Sequence, residues 1–163
     1  MQLSELTAMI SPADERAKLT AKMRWDSIAK PLGGLGLLEE AVIRIAGMTG
    51  SADVDLGRRA VIATCADNGV VAQGVTQTGQ EVTAIVTENM SSGCTSVCRM
   101  ANVAGCEVIP VDIGVAVEVH GERIRQSCIR RGTADFTNGP AMTREEAERA
   151  IMTGAELVRE LHG

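Results

Sequence analysis

"RRAVIATCADNGVVAQGV", Arg58 to Val75, decides the fold of this chain. Two arginines lead into a short apolar run around Val61 and Ile62, which closes on Asp67, Asn68 and Gly69. An apolar run with polar flanks reads as a buried strand, central in a parallel sheet. The segment after it, "DNGVVAQGVTQTGQ", reads as a long loop at the carboxyl end of that strand. In open α/β sheets this is where ligands bind. Asp67 and Asn68 sit at the strand edge, with Gly69 and Gly74 beyond them. A carboxylate and an amide there either hold a small polar ligand or brace the loop through Asx turns.

Downstream, "EVTAIVTENM" and "CTSVCRMANVAG" predict one bent helical unit with its break at Ser91–Gly93. "CEVIPVDIGVAV" predicts a second strand, so the three pieces form a right-handed βαβ unit. Residues 118–138 carry no clear periodicity. After them, "TREEAERAIMTGAELVRELHG" predicts a helix opened by a capping box of Thr143 and Glu146. Upstream, Ser11 and Pro12 predict the start of a helix with Asp14 as the acid of its capping box. Lys30-Pro31 ends it. A second helix is expected from about Leu35 to Met48, with Gly47 and Gly50 marking its end. The organisation expected is an N-terminal helical segment, residues 1–50, followed by a partial α/β domain, residues 51–163.

Between those two helices lies "KPLGGLGLLEE", residues 30–40. Gly34-x-Gly36 looks like the start of a dinucleotide fingerprint. The third glycine is absent, however, and the loop follows a helix rather than a strand. A tight helix–helix connection is the better reading.

Composition excludes several classes. The chain has 163 residues, 45% of them hydrophobic, with a net charge of -5. Aromatic residues are confined to Trp25 and Phe136, so the core is aliphatic. Stacking platforms for single-stranded nucleic acid are lacking. So is a basic footprint for a duplex, because Arg123, Arg125, Arg130 and Arg131 form a short, interrupted cluster. No run of about 18 apolar residues is present to span a membrane. The five cysteines, Cys65, Cys94, Cys98, Cys106 and Cys128, read as buried free thiols of a cytoplasmic protein. Cys94 and Cys98 fall at helical spacing, but His120 and His162 are too poorly placed to complete a metal site, so none is expected.

Taken in order, "KPLGGLGLLEEAVIRIAGMTG", "ATCADNGVVAQGV", "EVTAI…NM", "VDIGV" and "RGTADF…GPAMTREEAE" resemble the nicotinate-nucleotide–dimethylbenzimidazole phosphoribosyltransferases of cobalamin assembly. The resemblance runs from about Lys22 to Leu161. It implies an open, mostly parallel sheet with helices on both faces, preceded by a helical hairpin. It also makes the Lys30–Glu39 stretch a structural hallmark of the family.

The implied reaction moves the phosphoribosyl group of nicotinate mononucleotide onto a lower-ligand base, giving an α-ribotide and nicotinate with no metal or organic cofactor. Such enzymes are about twice as long. Their catalytic glutamate and glycine-rich phosphate loop fall outside these residues, so no catalytic residue is assigned here. The chain is then expected to be inactive alone, and to be either a fragment or one half of a split enzyme. A non-catalytic base- or nucleotide-binding partner subunit is the alternative. Expected partners are the two small substrates and a second copy or a complementing C-terminal half.

The resemblance places Asp67, Asn68, Thr78, Ile85 and Val86 beside the base. Asn68 replaces the usual histidine. Thr78 stands where relatives carry a pocket serine, and Val86 where they carry a pocket glutamine facing the base. Valine offers no hydrogen bond, so a base less polar at that edge is expected.

Overall fold

The computed structural model describes residues 2–162. The helices are α1 (Leu3–Ala8), α2 (Glu15–Ser27), α3 (Leu37–Thr49), α4 (Glu81–Ser91), α5 (Ser96–Ala104) and α6 (Arg144–His162). The strands are β1 (Ala60–Ala66), β2 (Glu107–Gly114) and β3 (Arg125–Gln126). The fold separates into two compact units, Ser4–Arg58 in one and the residues from Arg59 onward, with residues 2–3, in the other.

In the first unit α2 and α3 pack antiparallel, because the Asp14 amide at the start of α2 donates to the Gly47 carbonyl near the end of α3 at 2.8 Å. α2 starts three residues later than Ser11 and Pro12 predict. Asp14 is itself the N-cap, accepting from the Ala17 amide at 2.9 Å. A capping carboxylate satisfies an orphan amide and suits the positive end of the helix, so the chain uses it rather than Ser11. α1 had no signal strong enough to read. Gly47 does not end α3. It is buried inside the helix, where a Cβ would lie 2.6 Å from the Lys18 side chain, so glycine permits the close approach of the two helices. The stop is Gly50, at φ 69°.

The 30–40 stretch is a helix–helix connection. Gly33 and Gly36 take φ 64° and 55°, conformations that suit glycine. The Leu35 amide donates to Glu39 Oε1 at 2.9 Å, and Lys30 Nζ lies 2.7 Å from the same oxygen. Lys30 also sits 5.7 Å from the Trp25 ring centroid. Glu39 is buried, at 6% exposure, and supplies the anion that the loop amide faces. The Lys30 ammonium, followed by the Leu35 amide, holds the Glu39 carboxyl below its ordinary value. Its contribution to stability is therefore present above about pH 4.3 and lost as pH falls through the lower folded value. Glu39→Gln is expected to lower the thermal midpoint at neutral pH. Melts on the acid side of that range should bring wild type and variant together.

The second unit holds a parallel sheet in the order β1-β2-β3. β1 and β2 pair from Ala60 with Glu107 to Ala66 with Gly114, with a shift after Cys65. The strand reading placed β1 at the buried centre. Among the described strands the centre is β2, whose Val111 and Asp112 are fully buried, while Ile62 of β1 remains 37% exposed. β2 has a neighbour on each side and β1 only on one, which accounts for the difference. Two helices, α4 and α5, replace the expected single bent unit. Gly93, at φ 75°, lies in the break. The buried cluster Cys65, Met90, Val115, Val119 and Ile124 joins β1, α4 and the chain beyond β2. Thr143 and Glu146 form the expected capping box, each side chain accepting from the other's amide, at 3.2 and 2.8 Å.

All five cysteines are free, yet just one, Cys65, is buried. Cys94 is exposed and precedes α5 rather than sharing its face with Cys98. No group of three His, Cys, Asp or Glu side chains that could hold a metal occurs among the described residues. No helix among them is long and apolar enough to cross a membrane.

Candidate active site

Three segments meet at the carboxyl ends of β1 and β2: residues 67–80, 112–117 and 127–143. The third overlaps the stretch without periodicity, residues 118–138. It continues alongside β2 in the same direction, the Ser127 amide donating to the Asp112 carbonyl at 2.9 Å and the Gly132 amide to the Gly114 carbonyl at 3.1 Å. The Thr133 amide then reaches the Asp67 carbonyl at 2.9 Å, and the Thr133 hydroxyl accepts from the Gly69 amide at 3.1 Å.

Two buried carboxylates organise this junction. Asp112 Oδ1 accepts from the Gly114 and Val115 amides at 3.0 and 2.9 Å, and Oδ2 accepts from Arg131 at 2.7 Å. Arg131 further donates to the Val115 and Val117 carbonyls. The Asp112 hydrogen bond holds the Arg131 guanidinium above its ordinary pKa. Burial, then the nearby Asp112 charge, pushes the Cys128 thiol up. Asp67, 3% exposed, accepts from the Ala116 amide at 2.7 Å and so ties the end of β1 to the turn after β2.

Of the residues expected beside a base, Asp67 is thus engaged inside the protein, though not through the Asx turn considered from sequence. Asn68 is exposed at the strand end, and its carbonyl accepts from the Gln80 side chain at 3.3 Å. Thr78 is exposed in the loop. Ile85 and Val86 lie on α4, 55% and 41% exposed. The structure therefore gathers Asp67 and Asn68 at the sheet end and puts the other three on the loop and helix that follow.

The residues that build the junction, Asp112, Arg131 and Thr133, with Gln73 and Asp135 whose side chains bond at 2.6 Å, were not singled out individually. "VDIG" held one legible signal, since an Asp two residues before Gly suits an Asx turn. The arginines read as a basic cluster are each engaged within the protein. Arg123 bonds to the Ser91 carbonyl, Arg125 pairs with Glu160, Arg130 lies 3.6 Å from Glu146, and Arg131 pairs with Asp112. A cavity of about 360 Å³ lies elsewhere, at the amino end of β2, lined by Glu107, Ile109, Ile124, Leu157 and Glu160 among others.

A parallel α/β unit whose loops converge at the strand carboxyl ends is a scaffold for small-ligand chemistry. A profile of the family described as phosphoribosyltransferase matches residues 10–163, and the chain belongs to that family. It is similar to the nicotinate-nucleotide–dimethylbenzimidazole phosphoribosyltransferase of Clostridium tetani, 38% identical over 156 residues, covering 96% of this chain and 43% of that protein. The enzyme of the same name from Acetivibrio thermocellus is 43% identical over 138 residues, covering 85% of this chain and 39% of its own length. The crystal structure of CobT from Thermus thermophilus superposes with a TM-score of 0.79 at 40% identity, covering 89% of this chain and 44% of that one. The chain thus spans less than half the length of these relatives.

Proposed function

We propose that this polypeptide supplies the base-side part of a cytoplasmic enzyme of cobalamin assembly. The enzyme transfers the phosphoribosyl group of nicotinate mononucleotide to dimethylbenzimidazole or a related aromatic base. The observation that carries the reading is the similarity, over nearly all of this chain, to enzymes named for that reaction. The base-side assignment of Asn68, Thr78, Ile85 and Val86 is part of the proposal, with Asp67 fixing the loop that carries the first two. Organisation as a helical segment of residues 1–50 and an α/β domain of 51–163 also belongs to it, as does assembly into a homodimer or with a complementing half.

The chemistry asks for a nitrogen of the base to attack the anomeric carbon as nicotinate leaves, with the base's N–H proton passing to a carboxylate. A general base must come within hydrogen-bond reach of that proton. Asp67 and Asp112 are 3% and 0% exposed and already accept protein hydrogen bonds, so neither suits the role. Neither junction aspartate is therefore the general base, which we place outside these residues, as the resemblance implies.

The test is base-dependent release of nicotinate from nicotinate mononucleotide. The 163-residue polypeptide alone should release none. A polypeptide that also carries the portion its relatives have beyond the matched region should release it with each turnover. Release by the short chain, or none by the long one, would overturn the reading. Val86→Gln in the active form is expected to shift preference toward bases with a polar edge. Unchanged relative kcat/KM across a panel of bases would remove Val86 from the base site.

A further inference from the structure

We infer that Gln73 and Asp135 form a clasp that positions the base-side loop, making both positioning residues for the incoming base. The inference rests on the function proposed above.

The loop 67–80 is held firmly at its two ends. Gly69 and Asp67 bond to Thr133 at one end, and Gln80 returns to the Asn68 carbonyl at the other. Between them, Gly74 turns the chain at φ 70°, and residues 74–79 are exposed. The hydrogen bonds of that stretch stay within the loop, from the Gly74 amide to the Val71 carbonyl and from the Thr76 hydroxyl to the Thr78 carbonyl. The tie reaching outward from the head of this turn is Gln73 Nε2, which donates to Asp135 Oδ2 at 2.6 Å.

Asp135 is set in place independently of Gln73. Its Oδ1 accepts from the Thr137 amide and hydroxyl at 2.9 and 2.8 Å, and its Oδ2 accepts from Asn138 Nδ2 at 3.1 Å. These donors are neutral, and the Thr137 amide, then Gln73 and the Thr137 hydroxyl, hold the Asp135 carboxyl below its ordinary value. No charged side chain contributes to that shift. The clasp is therefore one neutral donor on an ionised, preset acceptor, which is a strong and directional arrangement. It anchors the segment that carries Thr78.

Gln73→Glu would place two carboxylates at hydrogen-bond distance, where both cannot stay ionised without separating. In the complete enzyme, Gln73→Glu should raise KM for the base about tenfold at pH 8. KM for nicotinate mononucleotide should remain within twofold. The defect should shrink toward pH 5.5, as one of the two carboxyls takes up a proton and bridges to the other. Gln73→Leu should raise the base KM without that pH dependence. The exchange Gln73→Glu with Asp135→Asn, which keeps the side-chain length and an oxygen for the Thr137 donors, should recover most of the wild-type value. A base KM in Gln73→Glu within twofold of wild type, or a double exchange no better than the single variant, would overturn the clasp. If wild type shows no base-dependent nicotinate release, the functional reading itself fails. If wild type turns over and the variants do not differ from it, the clasp alone fails.

Discussion

Asp112→Ala is expected to cost about 2–6 kcal/mol of stability, set by the two turn amides that it leaves without an acceptor. The carboxylate is fully buried. Its removal strands the Gly114 and Val115 amides, both in buried residues, at about 1–3 kcal/mol for each unmade bond. It also strands one end of Arg131, although that side chain is 42% exposed and regains water. Arg131→Met keeps the two amide donors but leaves a fully buried carboxylate without its cation, so it should cost about 3–5 kcal/mol. Asp112→Asn should fall between wild type and alanine, since the amide oxygen can still accept from the turn. Urea unfolding of the three variants gives the ranking. A loss for Arg131→Met well below that for Asp112→Ala would mean that the turn, not the ion pair, holds the junction together.

Gly69→Ala is expected to be nearly as severe, for a reason unrelated to charge. A Cβ on Gly69 would lie 2.6 Å from three backbone atoms of Thr133, Ala134 and Asp135. Backbone cannot rotate away as a side-chain tip can, so the 133–135 segment must move. Overpacking of this kind costs about 1–3 kcal/mol and sometimes more. The displacement also breaks the Gly69 to Thr133 hydrogen bond. Amide exchange should quicken at Gly69 and Thr133, while the paired amides of β1 and β2 stay protected. Uniform acceleration through the sheet would show that the junction and the strands open together.

Local pattern made much of the fold legible. The apolar runs around Val61 and in 107–114 marked both principal strands, and the stripe of Ala147, Ile151, Ala155 and Val158 with its capping box marked α6. The αL glycine at Gly50 was legible for the same reason, because the signal lies in the residue itself. Which strand is central was not legible. Val61–Ile62 and Val108–Ile109 look alike as sequence, and only the pairing of β2 with β3 separates them. The buried role of Gly47 depends on a neighbouring helix. The junction was least legible, because Asp112, Arg131 and Thr133 acquire their meaning from partners in other segments. The same holds for Asp67, whose partner Ala116 offers a backbone amide that no side-chain pattern announces.

The ties that build this junction have one property in common. Gly69 with Thr133, Gln73 with Asp135, and Ala116 with Asp67 are separated by 64, 62 and 49 residues along the chain. Closing loops of that size carries an entropic cost that must be met before any of these bonds forms. Formation of β1 and β2 as a parallel pair brings the ends together, after which the ties are nearly local. The junction is thus the last part of this unit to mature when the chain refolds. A probe at Phe136, 60% exposed, should register native structure later than the far-ultraviolet signal of the helices. The junction would close as a separate, final kinetic phase, behind a scaffold that already looks complete.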